Sequence, residues 1–195
     1  MRKYVVSVLV VMVSLVFVGA ATKAAFQSSG SVSDVTFKVG GVDIKLLEDL
    51  SQGPSESNLK TSKAGLTFQD LFPGWTKDYP LKIYNNGTLS INVISTAYYE
   101  TANDPAGLRE YIFAELFPWN DQNSDGIVDT DELGTSLGKK SIVKWKTEGY
   151  VLGDLIPSGT QGLLVRFTAG NIPDTKMGQQ AKYTFEFSGG MTTEN

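Results

Sequence analysis

The chain has 195 residues, with 17 Lys and Arg against 21 Asp and Glu, and it contains neither cysteine nor histidine. The acidic balance argues against a nucleic-acid partner, because nucleic-acid binding relies on basic surfaces. The lack of cysteine excludes a thiol nucleophile and disulfide cross-links, and the lack of histidine removes the usual general base of hydrolases and the commonest zinc ligand. We therefore expect a protein that is not an enzyme.

Residues 1–24 have the composition of a signal peptide. Two basic residues precede an apolar run at residues 4–18, and small residues follow. We expect cleavage after Ala24, with Ala21 and Ala25 as alternative positions. An uncleaved anchor is the other interpretation, but the run is shorter than the roughly 20 residues that cross a bilayer. Cleavage leaves 14 basic residues against 21 acidic ones, in a secreted protein without a membrane segment.

Alternation of apolar and polar residues after the signal peptide predicts a mainly β protein. The first alternating stretches, at residues 35–39 and 42–46, are separated by two glycines and predict a hairpin or a bent strand. Residues 81–93 alternate on both sides of an Asn-Asn-Gly sequence at 85–87. Because Asn-Gly between such stretches is typical of a tight turn, these residues predict a β-hairpin.

One segment changes period. Apolar residues recur at three- and four-residue spacing and predict a short helix at about residues 107–117, which ends before Pro118. Seven or more strands separated by turns predict an antiparallel jelly roll or β-sandwich, a single domain at residues 40–195. The later predicted strands are at residues 142–145, 150–152, 163–167 and 183–187.

Residues 121–132 read D-Q-N-S-D-G-I-V-D-T-D-E and match the twelve-residue EF-hand-like calcium loop at every specified position. Gly126 at position six permits the sharp turn round the ion. An acidic turn without an ion is the alternative, but five acidic residues within twelve positions repel one another when no cation is present. The predicted Ca²⁺ ligands are the side chains of Asp121, Asn123, Asp125, Asp129 and Glu132 and the backbone carbonyl of Ile127.

The residues that flank this loop argue against a helix–loop–helix calcium sensor. Pro118 interrupts any helix before the loop, and Gly134 follows soon after it. The loop also occurs once, whereas sensor proteins normally pair two. We therefore expect a structural ion that is bound at the millimolar calcium concentration found outside cells.

Two stretches of the N-terminal half carry a family resemblance. The first is A-A-F at residues 24–26 together with T-F-K-V-G-G-V-D-I-K-L at 36–46; the second is L-F-P-G-W at 71–75 together with L-K-I-Y-N-N-G-T-L at 81–89. They resemble the TasA/camelysin family of exported, fibre-forming biofilm-matrix proteins, whose archaeal relatives form bundling pili. The chain departs from the family pattern at Val39-Gly40-Gly41, where Ala-Gly is usual, and its C-terminal half matches only as a succession of strands.

The resemblance implies a jelly-roll subunit that assembles by donor-strand complementation. In that arrangement the segment 25–39 adds as a strand to a neighbouring subunit, and Val35, Phe37 and Val39 fill a groove in its core. Because this head-to-tail contact does not close, it produces a homopolymeric filament, with the cell surface or neighbouring filaments as further contacts. The alternative is that the strand pairs within its own subunit.

Two other functions remain as alternatives. Some camelysins are described as metallopeptidases, but a chain without histidine cannot build a zinc-peptidase site of the known kind. A calcium-dependent adhesion or carbohydrate-binding module is the second alternative, in which Trp75, Trp119 and Trp145 would stack on sugars. Glycan-array binding and filament imaging distinguish this module from a filament subunit.

Overall fold

The computed structural model describes residues 30–41, 43–176 and 178–191. The predicted signal peptide, 1–24, and the first part of the predicted donor strand, 25–29, lie outside the described residues. Within these ranges the structure contains no helix with the length and apolar character needed to cross a membrane.

Twelve strands of the described residues form two six-stranded sheets, so the protein is mainly β. Sheet A has the spatial order β10 (Tyr150–Leu155), β7 (Ile91–Tyr98), β12 (Gln180–Met191), β1 (Gly30–Gly41) and β4 (Ser62–Ala64), and β5 (Phe68–Leu71) also pairs with β1. Sheet B has the spatial order β3 (Leu59–Lys60), β2 (Ile44–Leu47), β6 (Thr76–Asn85), β11 (Thr160–Ala169), β8 (Ile112–Trp119) and β9 (Lys139–Ser141).

Aromatic side chains join the two sheets into a β-sandwich. The ring centroids of Phe167 on β11 and Phe185 on β12 are 5.4 Å apart, and those of Phe68 on β5 and Phe167 are 4.8 Å apart. Alternate residues of β12, among them Tyr183 and Phe187, are fully buried. The alternation seen in the sequence therefore reports a core face, as period-two patterning predicts.

Strand β1 lies in the interior of sheet A. It pairs parallel to β12 on one side and antiparallel to β4 and β5 on the other, with register shifts against β12 and β5. Val32, Val35 and Phe37 are at most 2% exposed, and Val39 packs against the same core. The Phe37 ring stacks on Tyr79 of β6 at a centroid distance of 4.6 Å. The predicted donor strand thus fills a central place in the sandwich.

The connections at Gly40-Gly41, where a hairpin or a bent strand was predicted, and at residues 85–87, where a hairpin was predicted, both pass from one sheet to the other. β1 ends at Gly41 in sheet A and β2 begins at Ile44 in sheet B, so the chain bends there. β6 and β7, on either side of the Asn-Asn-Gly sequence, also lie in different sheets, so the hairpin predicted at residues 81–93 is wrong. Asn85 explains the crossing, because its side chain donates to the carbonyls of Leu89 and Leu155 at 2.8 and 2.9 Å.

The helix predicted at 107–117 is wrong. A single 3₁₀ turn occupies Leu108–Glu110, and β8 follows at once. The side chains that alternate into the core are those of Ile112, Ala114 and Leu116. Ile112 and Leu116 are four residues apart, a spacing that fits both a strand and a helix, so the sequence pattern was ambiguous. In the described residues the other 3₁₀ turns are Thr101–Asn103, Thr130–Glu132 and Asp174–Lys176.

The α-helix of the described structure, α1, spans Ile142–Glu148, where the sequence predicted a strand at 142–145. The Ser141 side chain caps it by accepting from the Lys144 amide, and the Gly149 amide donates to the Trp145 carbonyl at its end. Ile142 and Trp145, three residues apart, are buried on one face. The buried pair therefore has helical spacing, and the strand prediction is wrong.

Candidate metal centre

The predicted calcium loop closes on itself over the outer face of sheet B. It leaves β8 at Trp119 and returns at Leu133, where a β-bridge joins these two residues, and the Asn120 amide donates to the Glu132 carbonyl at 3.0 Å. Beneath it, Trp119 and Leu164 are 3% and 2% exposed, although they do not belong to the cluster between the sheets. The loop therefore lies over two buried apolar side chains that are separate from the core between the sheets.

The side chain of Asp121, at position one of the loop, is 3% exposed. Its Oδ2 accepts from the Gly126 amide at 3.0 Å and from Lys82 Nζ at 2.6 Å, whereas its Oδ1 is buried without a hydrogen-bond partner. Burial raises the pKa of Asp121, but the donors Lys82 and Gly126 outweigh it and hold the pKa below its ordinary value. One oxygen of a charged, buried carboxylate is thus left for a ligand.

The middle of the loop is a series of tight turns. Asn123 Oδ1 accepts from the Asp125 amide at 3.1 Å, and Asp125 Oδ1 accepts from the Ile127 amide at 2.7 Å. Ser124 and Gly126 have positive φ values of 58° and 75°. A Cβ at Gly126 would lie 2.5 Å from the Ser51 amide nitrogen, so only glycine fits where this loop meets the neighbouring one.

Glu132, at position twelve, is 6% exposed. Its Oε2 accepts from the Trp119 indole at 3.0 Å, and its Oε1 accepts from the Gln122 amide at 2.9 Å. The Trp119 donor lowers the pKa of Glu132 below its ordinary value against the effect of burial, and Gln122 adds to it. The carboxylate is therefore held ionised inside the loop.

Asp129, at position nine, caps the 3₁₀ turn Thr130–Glu132 in a reciprocal capping box with Glu132. Burial and the neighbouring carboxylates, Glu132 and Asp125 foremost, raise the pKa of Asp129. Ile127, at position seven, has a hydrocarbon side chain without a ligand atom, so only its backbone carbonyl can bind the ion. The loop concentrates negative charge that a cation would offset.

The described conformation brings the predicted ligands into one loop without converging them into a cage. Among the described residues, no three acidic side chains lie close enough together to form an ion-binding group. The ligand chemistry nevertheless fits Ca²⁺, because Asp121 Oδ1 lacks a partner and the other oxygens are hard donors. The calcium site stays a prediction.

Two residues of the site were not predicted as such from the sequence. Lys82 contacts Asp121 across 39 residues of chain, and no local pattern in β6 marks it. The sequence predicts Trp119 as a core or sugar-stacking residue and gives no sign that its indole donates to Glu132. A capping-box reading of residues 129–132 could have shown that Glu132 also has a structural role.

No protein-family model matches the chain, and no curated protein matches it. Among solved structures it is similar to the ASH/PapD-like domain of human CEP192 (PapD-like domain 7), with 11% identity and a TM-score of 0.22 over 64% of this chain and 78% of that one. A similarity at this level supports no inference about function.

Proposed function

We propose that the protein is a structural subunit of an extracellular filament, a biofilm-matrix fibre or bundling pilus, with a jelly-roll body and a bound calcium ion. Subunits join by donor-strand complementation through the segment that includes β1. The proposal rests on the family resemblance of the N-terminal half and on the absence of histidine and cysteine, which disfavours an enzyme.

The position of β1 is the observation that carries the assembly proposal. β1 lies between β12 and the pair β4 and β5, and its side chains fill the core. Without β1, sheet A would have an apolar groove with two unpaired edges, and such edges accept an added strand. The equivalent strand of a neighbouring subunit would occupy this place when β1 swings out at Gly40 and Gly41, whose backbones are the most permissive.

The calcium ion has a structural role in this proposal. Asp121, Asn123, Asp125, Asp129, Glu132 and the Ile127 carbonyl would hold it, and its charge would offset the repulsion among the carboxylates. A closed loop keeps Trp119 and Leu164 covered on the outer face of sheet B. Calcium outside cells would therefore stabilise the subunit without switching it.

The carbohydrate-binding alternative has less support. Trp145 and Trp119 are 0% and 3% exposed, so neither ring offers a face to a sugar, and Trp75 is partly buried against the core. No further observation favours the adhesion module over the filament subunit.

Imaging tests the assembly. Protein without residues 1–24, concentrated in millimolar calcium, should form filaments in negative-stain electron microscopy. Phe37→Ala should reduce filament formation, because it removes a side chain that fills the groove, whereas Phe72→Ala, at a side chain that is 58% exposed, should not. Dispersed monomers of the unsubstituted protein at high concentration would contradict the proposal.

Calorimetry tests the ion site separately. Unsubstituted protein should bind one calcium ion, and Asp121→Asn combined with Glu132→Gln should abolish the binding heat. Asp174→Asn, at an exposed carboxylate outside the loop, is the matched control. Lack of binding heat or of a rise in melting temperature at millimolar calcium would remove the ion from the proposal and leave the assembly to be judged by imaging.

A further inference from the structure

A basic side chain from outside the calcium loop contacts the first predicted ligand. The Lys82 ammonium on β6 donates to Asp121 Oδ2 and to the Leu50 carbonyl, both at 2.6 Å, and lies 5.0 Å from the Trp119 ring centroid. The Lys82 and Asp121 side chains are 13% and 3% exposed. This ion pair is therefore largely shielded from water. Charges attract each other more strongly in such a shielded position than at the surface.

Gly162 makes this contact possible. In sheet B, Lys82 of β6 pairs with Gly162 of β11, which pairs in turn with Trp119 of β8. A Cβ at Gly162 would lie 2.4 Å from the Trp119 carbonyl oxygen and 3.2 Å from its ring. Because the middle strand has no side chain at this position, Lys82 and Trp119 can meet above it, next to the calcium loop.

We propose that Lys82 is a resident cation of the calcium loop, which holds the loop together without calcium and lowers its affinity for calcium. The inference rests on the proposed calcium site and assigns the residue that sets its affinity. Lys82 occupies Asp121 Oδ2, whereas Oδ1 is the oxygen without a partner. The ammonium and the ion would therefore share one carboxylate through different oxygens and repel each other.

Lys82 also joins the calcium loop to a second loop. The Leu50 carbonyl that it binds belongs to a turn organised by Asn58, whose side-chain amide donates to the carbonyls of Asp49, Gln52 and Gly53. Gly126 packs on this turn. In the absence of calcium, Lys82 is thus a charged link between the two loops, and its removal should loosen both.

The test compares substitutions at two lysines of the same strand. For each variant, calcium affinity is measured by calorimetry and melting temperature is measured in excess chelator. The variants are Lys82→Gln and the control Lys77→Gln, because the Lys77 side chain is exposed and lies outside the site. Lys82→Gln should bind calcium roughly tenfold more tightly, because a positive charge near the ion is removed, and it should melt at a lower temperature in chelator. Lys77→Gln should change neither quantity.

Two further variants separate charge from structure. Lys82→Arg keeps the charge and should keep the weak affinity, whereas Lys82→Met, which can still pack on Trp119, should bind calcium as tightly as Lys82→Gln. One result would overturn the inference while the calcium site stands. In that result the unsubstituted protein binds calcium, and Lys82→Gln and Lys82→Met bind calcium no more tightly than the unsubstituted protein does. If the unsubstituted protein binds no calcium, the proposed site fails and the inference fails with it.

Discussion

Two buried aspartates of this protein, Asp104 and Asp121, each have a cationic partner, yet their surroundings differ. Asp104 accepts from the amides of Leu108 and Arg109 at 2.7 and 3.0 Å, and also from the Arg109 guanidinium and the Tyr183 hydroxyl. Both of its oxygens therefore have partners. Asp121 has two donors on one oxygen and none on the other.

This difference distinguishes a closed structural site from an open one. A buried carboxylate whose two oxygens both have hydrogen-bond partners is already stabilised by the protein, whereas a buried oxygen without a partner carries a desolvation cost that a cation can offset. Asp104 belongs to the packing between the sheets, through Tyr183 and Leu108, and Asp121 belongs to a loop on the outer face of sheet B. We therefore expect stability to depend on calcium at Asp121 and not at Asp104.

The largest effect is expected at the closed site. Asp104→Asn places an amide donor against either the Leu108 amide or the Arg109 guanidinium, and it leaves the partly buried Arg109 charge without its anionic partner. The free energy of unfolding should fall by about 3–5 kcal/mol, and by the same amount in calcium and in chelator. Chemical denaturation in both buffers measures it, with Asp154→Asn at an exposed residue as the control. A loss that appears only in chelator would erase the distinction between the two sites.

A smaller effect is expected where the open loop meets its neighbour. Gly126→Ala adds a Cβ that would lie 2.5 Å from the Ser51 amide nitrogen, at a φ of +75°. The free energy of unfolding should fall by about 2–3 kcal/mol, and calcium affinity should fall with it. Gly138→Ala is the matched control, because Gly138 also has a positive φ but has no atom within 4 Å of an added Cβ. Equal losses for the two variants would show that loop packing does not matter.

The smallest effect is expected at Asp129, and its sign should depend on calcium and pH. Because burial and the neighbouring carboxylates raise the pKa of Asp129, its ionised form destabilises the folded, calcium-free protein above that pKa. Asp129→Asn should therefore raise the melting temperature in chelator at neutral pH. The gain should vanish below about pH 4, where the aspartate is protonated in the folded and unfolded states.

In millimolar calcium the same substitution should lower the melting temperature relative to the unsubstituted protein, because a neutral amide attracts the ion less. Melting curves at neutral and acidic pH, with Asp174→Asn as the control, measure both differences. A destabilised Asp129→Asn protein in chelator at neutral pH would show that the carboxylates do not repel one another there.

Much of the sandwich could be predicted from the sequence, because period-two alternation reports directly which side chains face a core. Tyr183, Phe185 and Phe187 are buried as their alternation predicts. The sheet to which each strand belongs could not be predicted. The turn residues at 85–87 specify a local bend, but they do not specify whether the strands before and after it pair with each other. The helix at Ile142–Glu148 was missed although Ser141 and Gly149 are capping residues, since seven residues show little periodicity.

The candidate site was found only in part for a similar reason. The twelve-residue spacing of the loop identified its own acidic residues, because these predicted ligands are local in sequence. Lys82 lies on another strand, and its contact depends on a glycine of the strand between them. Contacts of this kind require the sheet register, which alternation alone does not supply.

A pair of introduced cysteines tests the central claim, strand exchange between subunits. Thr36 of β1 and Ala64 of β4 are antiparallel partners, and such partners have Cα atoms about 4.5–5.5 Å apart, within the range of a disulfide. The chain has no cysteine of its own, so oxidised Thr36→Cys/Ala64→Cys protein contains only the introduced bond.

The control pair is Thr76→Cys with Thr168→Cys, partners in β6 and β11 of sheet B, which should form a bond within one chain under all conditions. After assembly in calcium and oxidation, non-reducing denaturing electrophoresis should show a ladder of covalent multimers for the Thr36/Ala64 pair, because β1 of one subunit lies beside β4 of the next. Monomers cross-linked only within one chain, from a sample concentrated under the same conditions, would contradict the account.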